Sequence, residues 1–197
     1  MLGINCFIIF FGLVLLVSSD PLIITDCGTE DDIFEIKSIS VKPQEIPIPG
    51  DVTVSVDVEI YRDLVGAQLD LEVYIQTYLG FFWTSVPCIG DVGSCTYDGC
   101  KLLDNFNATG CPPQLANHNI PCTCDTIKAG KYSLPSEKIS IPAMSGLWSW
   151  LATGDYKADL KLLDRTTNKH VGCLHVEVTI VDPTACSGFL CSIFGGK

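Results

Sequence analysis

The sequence predicts an all-β protein, an antiparallel β-sandwich, and three observations lead to this prediction. Several segments alternate apolar and polar side chains, the pattern of a strand with one dry face and one wet face. No segment shows a convincing long amphipathic helical pattern. A stretch from Pro87 to Cys124 holds six cysteines and separates two groups of strands. About seven strands in this arrangement indicate a sandwich with an irregular, disulfide-stapled insert.

The start of the chain is typical of a secretory signal peptide. An unbroken apolar run from residue 7 to residue 17 is followed by small residues, and it is shorter than the ~20 residues that span a bilayer. The alternative is an ordinary buried helix. We assign residues 1–19 to a removed signal peptide, residues 20–181 to one domain and residues 182–197 to a C-terminal tail. We therefore expect a soluble mature chain in the secretory pathway, in the lysosome and/or outside the cell.

The charge of the chain limits its partners. The formal net charge is −11 at pH 7, and the sequence pI is about 4.5. Nucleic-acid binding is not expected, because phosphates require lysine and arginine. The same charge opposes contact with an anionic membrane at neutral pH, but the carboxylates begin to protonate in an acidic compartment. We therefore expect transient contact with the membrane surface of an acidic compartment, although acidic secreted proteins are also common without it.

The first group of strands precedes the insert. The clearest alternation runs over Val52–Ile60 and Leu69–Ile75, and weaker strand patterns cover Ile33–Val41 and Phe81–Val86. Prolines and a glycine between residues 43 and 50 separate Ile33–Val41 from Val52–Ile60.

The second group follows the insert. Its predicted strands are Gly130–Ser133, Lys138–Ile141, Tyr156–Leu162 and Leu174–Ile180. Pro135 and Pro142 bracket the short second strand, and a polar turn at residues 164–168 joins the last two strands into a hairpin. One short helical turn is expected at residues 101–106.

The cysteines indicate disulfides and not a metal site. The chain has 11 cysteines, and ten remain after Cys6 leaves with the signal peptide. The even number predicts no free thiol, with Cys186–Cys191 as a local bridge in the tail. The spacing of Cys122 and Cys124 is wrong for a zinc knuckle, so neither a metal nor a cofactor is predicted. The remaining pairing cannot be deduced from spacing alone.

Catalysis is not predicted. The sequence contains neither a G-x-S-x-G nor an H-E-x-x-H motif, and nothing singles out two of its 23 carboxylates as a glycosidase pair. His118, His170 and His175 are the only histidines, and the last two are predicted as exposed polar positions in or beside a hairpin strand. We expect a non-catalytic protein.

From about Cys27 to Val181 the chain resembles the ML lipid-recognition domain family. The resemblance is carried by short words that are specific only together: VPC at 86–88, GSCT at 93–96, PCTC at 121–124, GKYSLP at 130–135, WLATGDY at 150–156 and GC at 172–173. It implies an immunoglobulin-like sandwich that forms an apolar lipid-binding cup. It also implies four disulfides, which are Cys27–Cys173, Cys88–Cys95, Cys100–Cys124 and Cys111–Cys122.

The resemblance implies that the apolar faces of the predicted strands line a lipid-binding cup. A close-packed core without a cavity is the alternative, and the residues alone would favour it. The inner-face residues expected to line the cup are Val54, Val56, Val58, Leu71, Val73, Ile75, Leu160, Leu162, Val176 and Val178.

Two uncharged aromatic segments are candidates for the cup rim and for membrane contact. Tryptophan and tyrosine favour the membrane–water boundary, whereas burial against the sandwich is the alternative for at least one tryptophan. We expect Trp83 and Trp150 at the rim and leave Trp148 undecided. The full set is Tyr78, Leu79, Phe81, Phe82, Trp83, Leu147, Trp148, Trp150 and Leu151.

The resemblance implies a lipid-transfer function for the whole chain. A sphingolipid (ganglioside) activator of this kind would extract a glycosphingolipid, or another two-chain lipid, from a membrane and present it to a soluble hydrolase such as a lysosomal β-hexosaminidase. The alternative is a secreted lipid sensor or interaction module that engages a receptor. Asn107, in the only N-x-S/T sequon, is predicted to carry an N-glycan.

Overall fold

The computed structural model describes residues 22–106, 110–143 and 153–183. The predicted signal peptide and nearly all of the predicted tail lie outside these ranges. Within them, no helix is long and apolar enough to cross a membrane.

The described chain consists mainly of β-strands. The strands are β1 (Leu22–Asp26), β2 (Phe34–Lys42), β3 (Ile46–Pro47), β4 (Gly50–Ile60), β5 (Leu69–Tyr78), β6 (Trp83–Ser85), β7 (Thr96–Asp98), β8 (Gly130–Ile141), β9 (Gly154–Asp164) and β10 (Lys169–Val181). The helices are α1 (Gly99–Phe106), α2 (Pro113–Ala116) and a 3₁₀ turn (Cys124–Thr126).

The strands form two sheets. The larger sheet has the order β1-β10-β9-β5-β6, with β3 beside β10 and β7 beside β5, and the smaller sheet has the order β2-β4-β8. All of these pairs are antiparallel except the two-residue pairing of β3 with β10. The predicted all-β antiparallel fold is confirmed.

Each sheet has one apolar face, and strand register lines up the residues on it. In the larger sheet Val73 lies opposite Leu160, which lies opposite Leu174. In the smaller sheet Val56 lies between Ile39 and Leu134. Because side chains on one face recur every two residues, these rows continue along each strand and form the two inner faces of the sandwich.

The two inner faces meet in a buried cluster at one end of the sandwich. There Ile33, Leu64, Leu69, Ile127 and Val171 form a buried cluster, with exposures of 3–8%. Aliphatic and aromatic side chains from both sheets pack against the cluster. They include Phe34 and Ile60 from the smaller sheet and Leu162 from the larger one. We call this the closed end of the sandwich.

Four disulfides reinforce the sandwich and its insert. Cys27–Cys173 joins β10 to the segment that follows β1, across a sequence separation of 146 residues. Three further bridges lie within the insert: Cys88–Cys95, Cys100–Cys124 and Cys111–Cys122. They are the same four pairs that the family resemblance implies. The proposed bridge Cys186–Cys191 lies outside the described residues.

Two predicted strands are in fact one, which corrects the interpretation of the prolines. Strand β8 runs from Gly130 through Pro135 to Ile141 without interruption. Its pairing with β4 shifts between Leu134 and Glu137, so Pro135 lies in a β-bulge. A bulge tolerates proline, since the missing N–H is not needed for the ladder there.

Candidate functional site

The predicted cup residues all lie on the inner faces and all remain half-buried. None reaches the burial of the closed end, although a close-packed sandwich would bury such aliphatic side chains fully. The set comprises Val54, Val56, Val58, Leu71, Val73, Ile75, Leu160, Leu162, Val176 and Val178. These ten positions are therefore apolar surface that the described residues leave partly exposed.

Polar groups appear on the inner face of the larger sheet toward its far end. Tyr156 lies in register with Thr77 and Val178. The Tyr156 hydroxyl is buried and, among the described residues, has no hydrogen-bond partner. Burial raises the pKa of this phenol. The Thr77 side chain is buried too, and its hydroxyl donates to the carbonyl oxygen of Asp155 at 3.4 Å.

The first aromatic segment forms a tight hairpin at the end of β5, about 30 Å along that strand from the buried Leu69. The Leu79 N–H donates to the carbonyl of Phe82 at 3.0 Å, and Gly80 takes a φ of 87° that favours glycine. Phe81 is 83% exposed, and its ring meets that of Phe82 edge to face at 4.9 Å. We call residues 78–83 the aromatic hairpin.

Trp83 lies on the outer side of the larger sheet. It pairs with Tyr78, and their ring centroids are 5.3 Å apart. The Lys157 ammonium lies 4.8 Å from the Trp83 ring centroid. Since Tyr78 is nine residues from the inward-facing Leu69, strand alternation directs Tyr78 and its partner outward. Trp83 is predicted at the rim of the cup. In the structure its ring lies on the outer face of the larger sheet, away from the inner face.

An ion-pair chain connects Trp83 to a histidine on this outer face. Lys157 Nζ lies 3.0 Å from Glu177, and His175 lies 3.2 Å from Glu177 and 2.6 Å from Asp159. Asp159, and then Glu177, raise the pKa of His175, whereas Lys157, and then His175, lower that of Glu177.

The predicted exposure of two histidines was wrong. His175 is half-buried between its carboxylate partners, and His170 is half-buried with its Nδ1 3.5 Å from Asp32. Strand alternation does place His175 on the polar outer face. However, it cannot show that the neighbouring strand β9 places Asp159 directly opposite His175.

The third histidine attaches the insert to the smaller sheet. His118 Nε2 lies 2.7 Å from Oε1 of Glu137 on β8. Glu137 is paired with Val54 on β4. His118 follows the short helix α2, and both side chains are half-buried. The ion pair therefore lies where the cysteine-rich insert meets an inner face of the sandwich.

Several predicted site residues lie outside the described residues. These are the glycosylation candidate Asn107, the second aromatic segment and the tail cysteines; the residues concerned are Leu147, Trp148, Trp150, Leu151, Cys186 and Cys191.

The sequence did not single out Lys157 or Asp155 as site residues. Alternation over the predicted strand Tyr156–Leu162 puts Lys157 on its polar row, which is correct but says nothing of its neighbours. Only the register of β9 against β5 and β10 reveals that it lies between Gln76 and Glu177, within reach of Trp83. Such neighbours across strands leave no signal in a single sequence.

Comparison with known proteins agrees with this architecture. Residues 21–180 match the family model described as the ML domain. The chain is 32% identical to the ganglioside GM2 activator of Mus musculus over 158 residues, covering 79% of each protein. It is 35% identical to the ganglioside GM2 activator of Macaca fascicularis over 158 residues, covering 79% of this chain and 80% of that protein.

Solved structures also align with the chain at low identity. A Niemann-Pick type C2 protein from the Japanese carpenter ant aligns with a TM-score of 0.38 at 10% identity, over 81% of this chain and 99% of that chain. Chicken MD-1 complexed with lipid IVa aligns with a TM-score of 0.35 at 12% identity, over 80% and 88%. The family match covers most of the sequence and the curated relatives exceed 30% identity. This chain therefore belongs to the ML domain family.

Proposed function

We propose that this chain is a non-catalytic glycolipid-binding and transfer protein, which extracts a sphingolipid from a membrane and presents it to a soluble hydrolase. One observation carries the proposal: ten aliphatic residues on facing strands remain half-buried instead of packing into a core. The similarity to two ganglioside GM2 activators supports a glycosphingolipid as the class of ligand.

The physical requirement for such a carrier is an apolar interior. Exposing a 16-carbon acyl chain to water costs roughly 13 kcal/mol, at ~0.8 kcal/mol per methylene, and a ceramide has two chains. The apolar faces around Val56, Val73 and Leu160 would replace the membrane interior at similar free energy, so loading and release are both reversible. The Tyr156 hydroxyl, buried without a partner among the described residues, would offer a hydrogen bond to the polar linkage of the lipid.

The aromatic hairpin would bring the cup to the membrane. Phe81, Phe82 and Leu79 expose apolar surface at the end opposite the closed end, with Phe81 83% exposed. Burying that surface in a bilayer contributes a few kcal/mol, at ~25 cal/mol per Å² of apolar surface, which suits reversible docking. The second aromatic segment, with Leu147, Trp148, Trp150 and Leu151, would act with it.

Acid would favour docking, and the site of action would be an acidic compartment such as the lysosome. At pH 7 the net charge of −11 repels an anionic bilayer. Near the sequence pI of about 4.5 this repulsion fades. A signal peptide at residues 1–19 and a glycan on Asn107 would deliver the chain there, and a β-hexosaminidase would be the hydrolase that receives the lipid.

Glycolipid transfer between two vesicle populations tests the proposal. We expect transfer by the wild type to be fast near pH 4.5 and slow at pH 7, and the double substitution Phe81→Ser, Phe82→Ser to reduce the acid rate by about tenfold or more. Val65→Ser is the matched control, since Val65 is 59% exposed but follows the buried Leu64 at the closed end. Equal transfer at both pH values would contradict the charge argument. A double variant as fast as the control would exclude this hairpin as the docking element.

A further inference from the structure

A cavity opens on the outer face of the larger sheet, and most of the residues that line it belong to the outward-facing rows. It has a volume of about 440 Å³ and lies beside the aromatic hairpin, over the ends of β9 and β10. Its walls include the aromatic residues Tyr78 and Trp83, the carboxylates Asp155 and Glu177, and Thr179. The strands turn these five side chains outward, and two residues of the inner face, Tyr156 and Val178, also line the cavity.

The charges around the cavity favour a ligand that carries a cationic group. Glu177 is balanced by Lys157 at 3.0 Å and by His175 at 3.2 Å. Asp155 accepts a hydrogen bond from the Thr179 hydroxyl at 2.7 Å, but among the described residues no basic side chain forms an ion pair with it. A cationic group would supply the counter-ion that Asp155 lacks, whereas an anion without a cationic group would be repelled.

The aromatic walls show an affinity for cations within the protein itself. The Lys157 ammonium lies 4.8 Å from the Trp83 ring centroid, within the range at which a ring face attracts a cation. The Tyr78 ring adjoins Trp83 at 5.3 Å with a 45° tilt, so two rings form adjacent walls. Aromatic rings combined with a carboxylate are the arrangement that recognises quaternary ammonium groups.

We propose that this outer cavity binds the trimethylammonium group of a choline compound. Trp83 and Tyr78 contact the methyl groups, and Asp155 balances the charge. A trimethylammonium group fits better than a primary amine, because its methyl groups contact aromatic rings and it gives up little hydration. The cavity opens next to Phe81, so a choline lipid headgroup of the docked membrane is one source, and a soluble choline compound is the other.

Titration with phosphocholine tests the binding chemistry without membranes. The indole N–H signal of Trp83, followed by NMR, is expected to shift saturably with phosphocholine and not with inorganic phosphate. Asp155→Asn keeps an acceptor for Thr179 but removes the charge, and is expected to weaken binding by about tenfold. Asp57→Asn is the matched control on the outer face of the other sheet, where Ser38 and Ser133 donate to Asp57 at 2.6 Å. It should bind like the wild type.

A second variant separates a cation site from a phosphate site. Lys157→Met removes the ammonium from the Trp83 ring and one counter-ion from Glu177. A choline ligand is then expected to bind as tightly as in the wild type or more tightly. Loss of binding in this variant would mean that Lys157 holds the phosphate group, and it would overturn the proposal. The proposal is also overturned if phosphocholine leaves the indole signal unmoved or if inorganic phosphate moves it equally.

Vesicle flotation distinguishes the two sources of the ligand. Phosphatidylcholine and phosphatidylethanolamine vesicles with equal anionic lipid are compared in acid. Preference for choline vesicles, lost in Asp155→Asn, assigns the site to membrane headgroups. Equal flotation together with saturable phosphocholine binding assigns it to a soluble choline compound. Glycolipid transfer between choline-free vesicles should be unchanged in Asp155→Asn, so failure of this inference and failure of the proposed transfer function are read separately.

Discussion

The ring of Phe34, on the smaller sheet, lies directly against the backbone of Gly172, on the larger sheet. A Cβ atom at position 172 would come within 2.3 Å of the ring carbon Cε1. Phe34 also packs against the buried cluster of the closed end. This contact brings the two sheets together at one end, while the ten predicted cup residues stay half-buried.

Gly172→Ala is therefore expected to destabilise the protein. The added methyl group must push the Phe34 ring or separate the sheets, which costs about 1–3 kcal/mol of the free energy of unfolding. Urea denaturation measures this cost. Gly99→Ala is the control, because a Cβ there meets its nearest atoms only at 3.4–3.6 Å. If both variants unfold like the wild type, the contact does not hold the closed end together.

The same substitution should have different costs at the closed end and in the cup. Leu69→Ala removes a side chain that is 3% exposed in the buried cluster and is expected to cost about 3 kcal/mol. Leu160→Ala, on the half-buried inner face, is expected to cost about 1 kcal/mol, since less of its surface is withdrawn from water. Denaturant titrations of the two variants give the comparison. Equal costs would indicate a close-packed core with no space for a lipid.

The His175 site is expected to make stability depend on pH. Its carboxylate partners raise its pKa in the folded state, so its contribution is fully present below the ordinary value of about 6.5 and is lost as pH rises through the raised folded value. His175→Gln should thus lower the free energy of unfolding more at about pH 5 than at about pH 9, by roughly 0.5–1 kcal/mol. In an Asp159→Asn background this difference should shrink. A loss that is equal at both pH values would rule out the linkage.

The strands with strict alternation were predicted directly, and the weaker patterns at Ile33–Val41 and Phe81–Val86 also overlap strands, β2 and β6. Val52–Ile60 and Leu69–Ile75 fall within β4 and β5 because each has one dry and one wet face. Strand β1 was missed, since its five residues next to the predicted signal peptide do not alternate. The two-residue β3 lies among prolines and is defined only by its partner β10.

The inner faces of the sheets could be predicted from the sequence, but the outer cavity could not. Alternation assigned Val73 and Leu160 to inner faces, and the family resemblance turned those faces into a cup. Asp155 and Trp83 meet at the outer cavity because β5, β9 and the hairpin strand pair in one particular register. Register depends on the whole sheet, so the meeting of these two residues has no local sequence signal.

A lipid cup between the inner faces is the central proposal, and direct lipid capture tests it best. The protein would be incubated with ganglioside vesicles in acid, separated from them by flotation, and analysed for bound lipid by mass spectrometry. We expect about one lipid per wild-type chain, and little or none when Val73→Trp and Leu160→Trp fill the cup of a protein whose circular dichroism is unchanged. A wild-type protein free of lipid, or a filled variant that captures as much lipid as the wild type, would contradict the account.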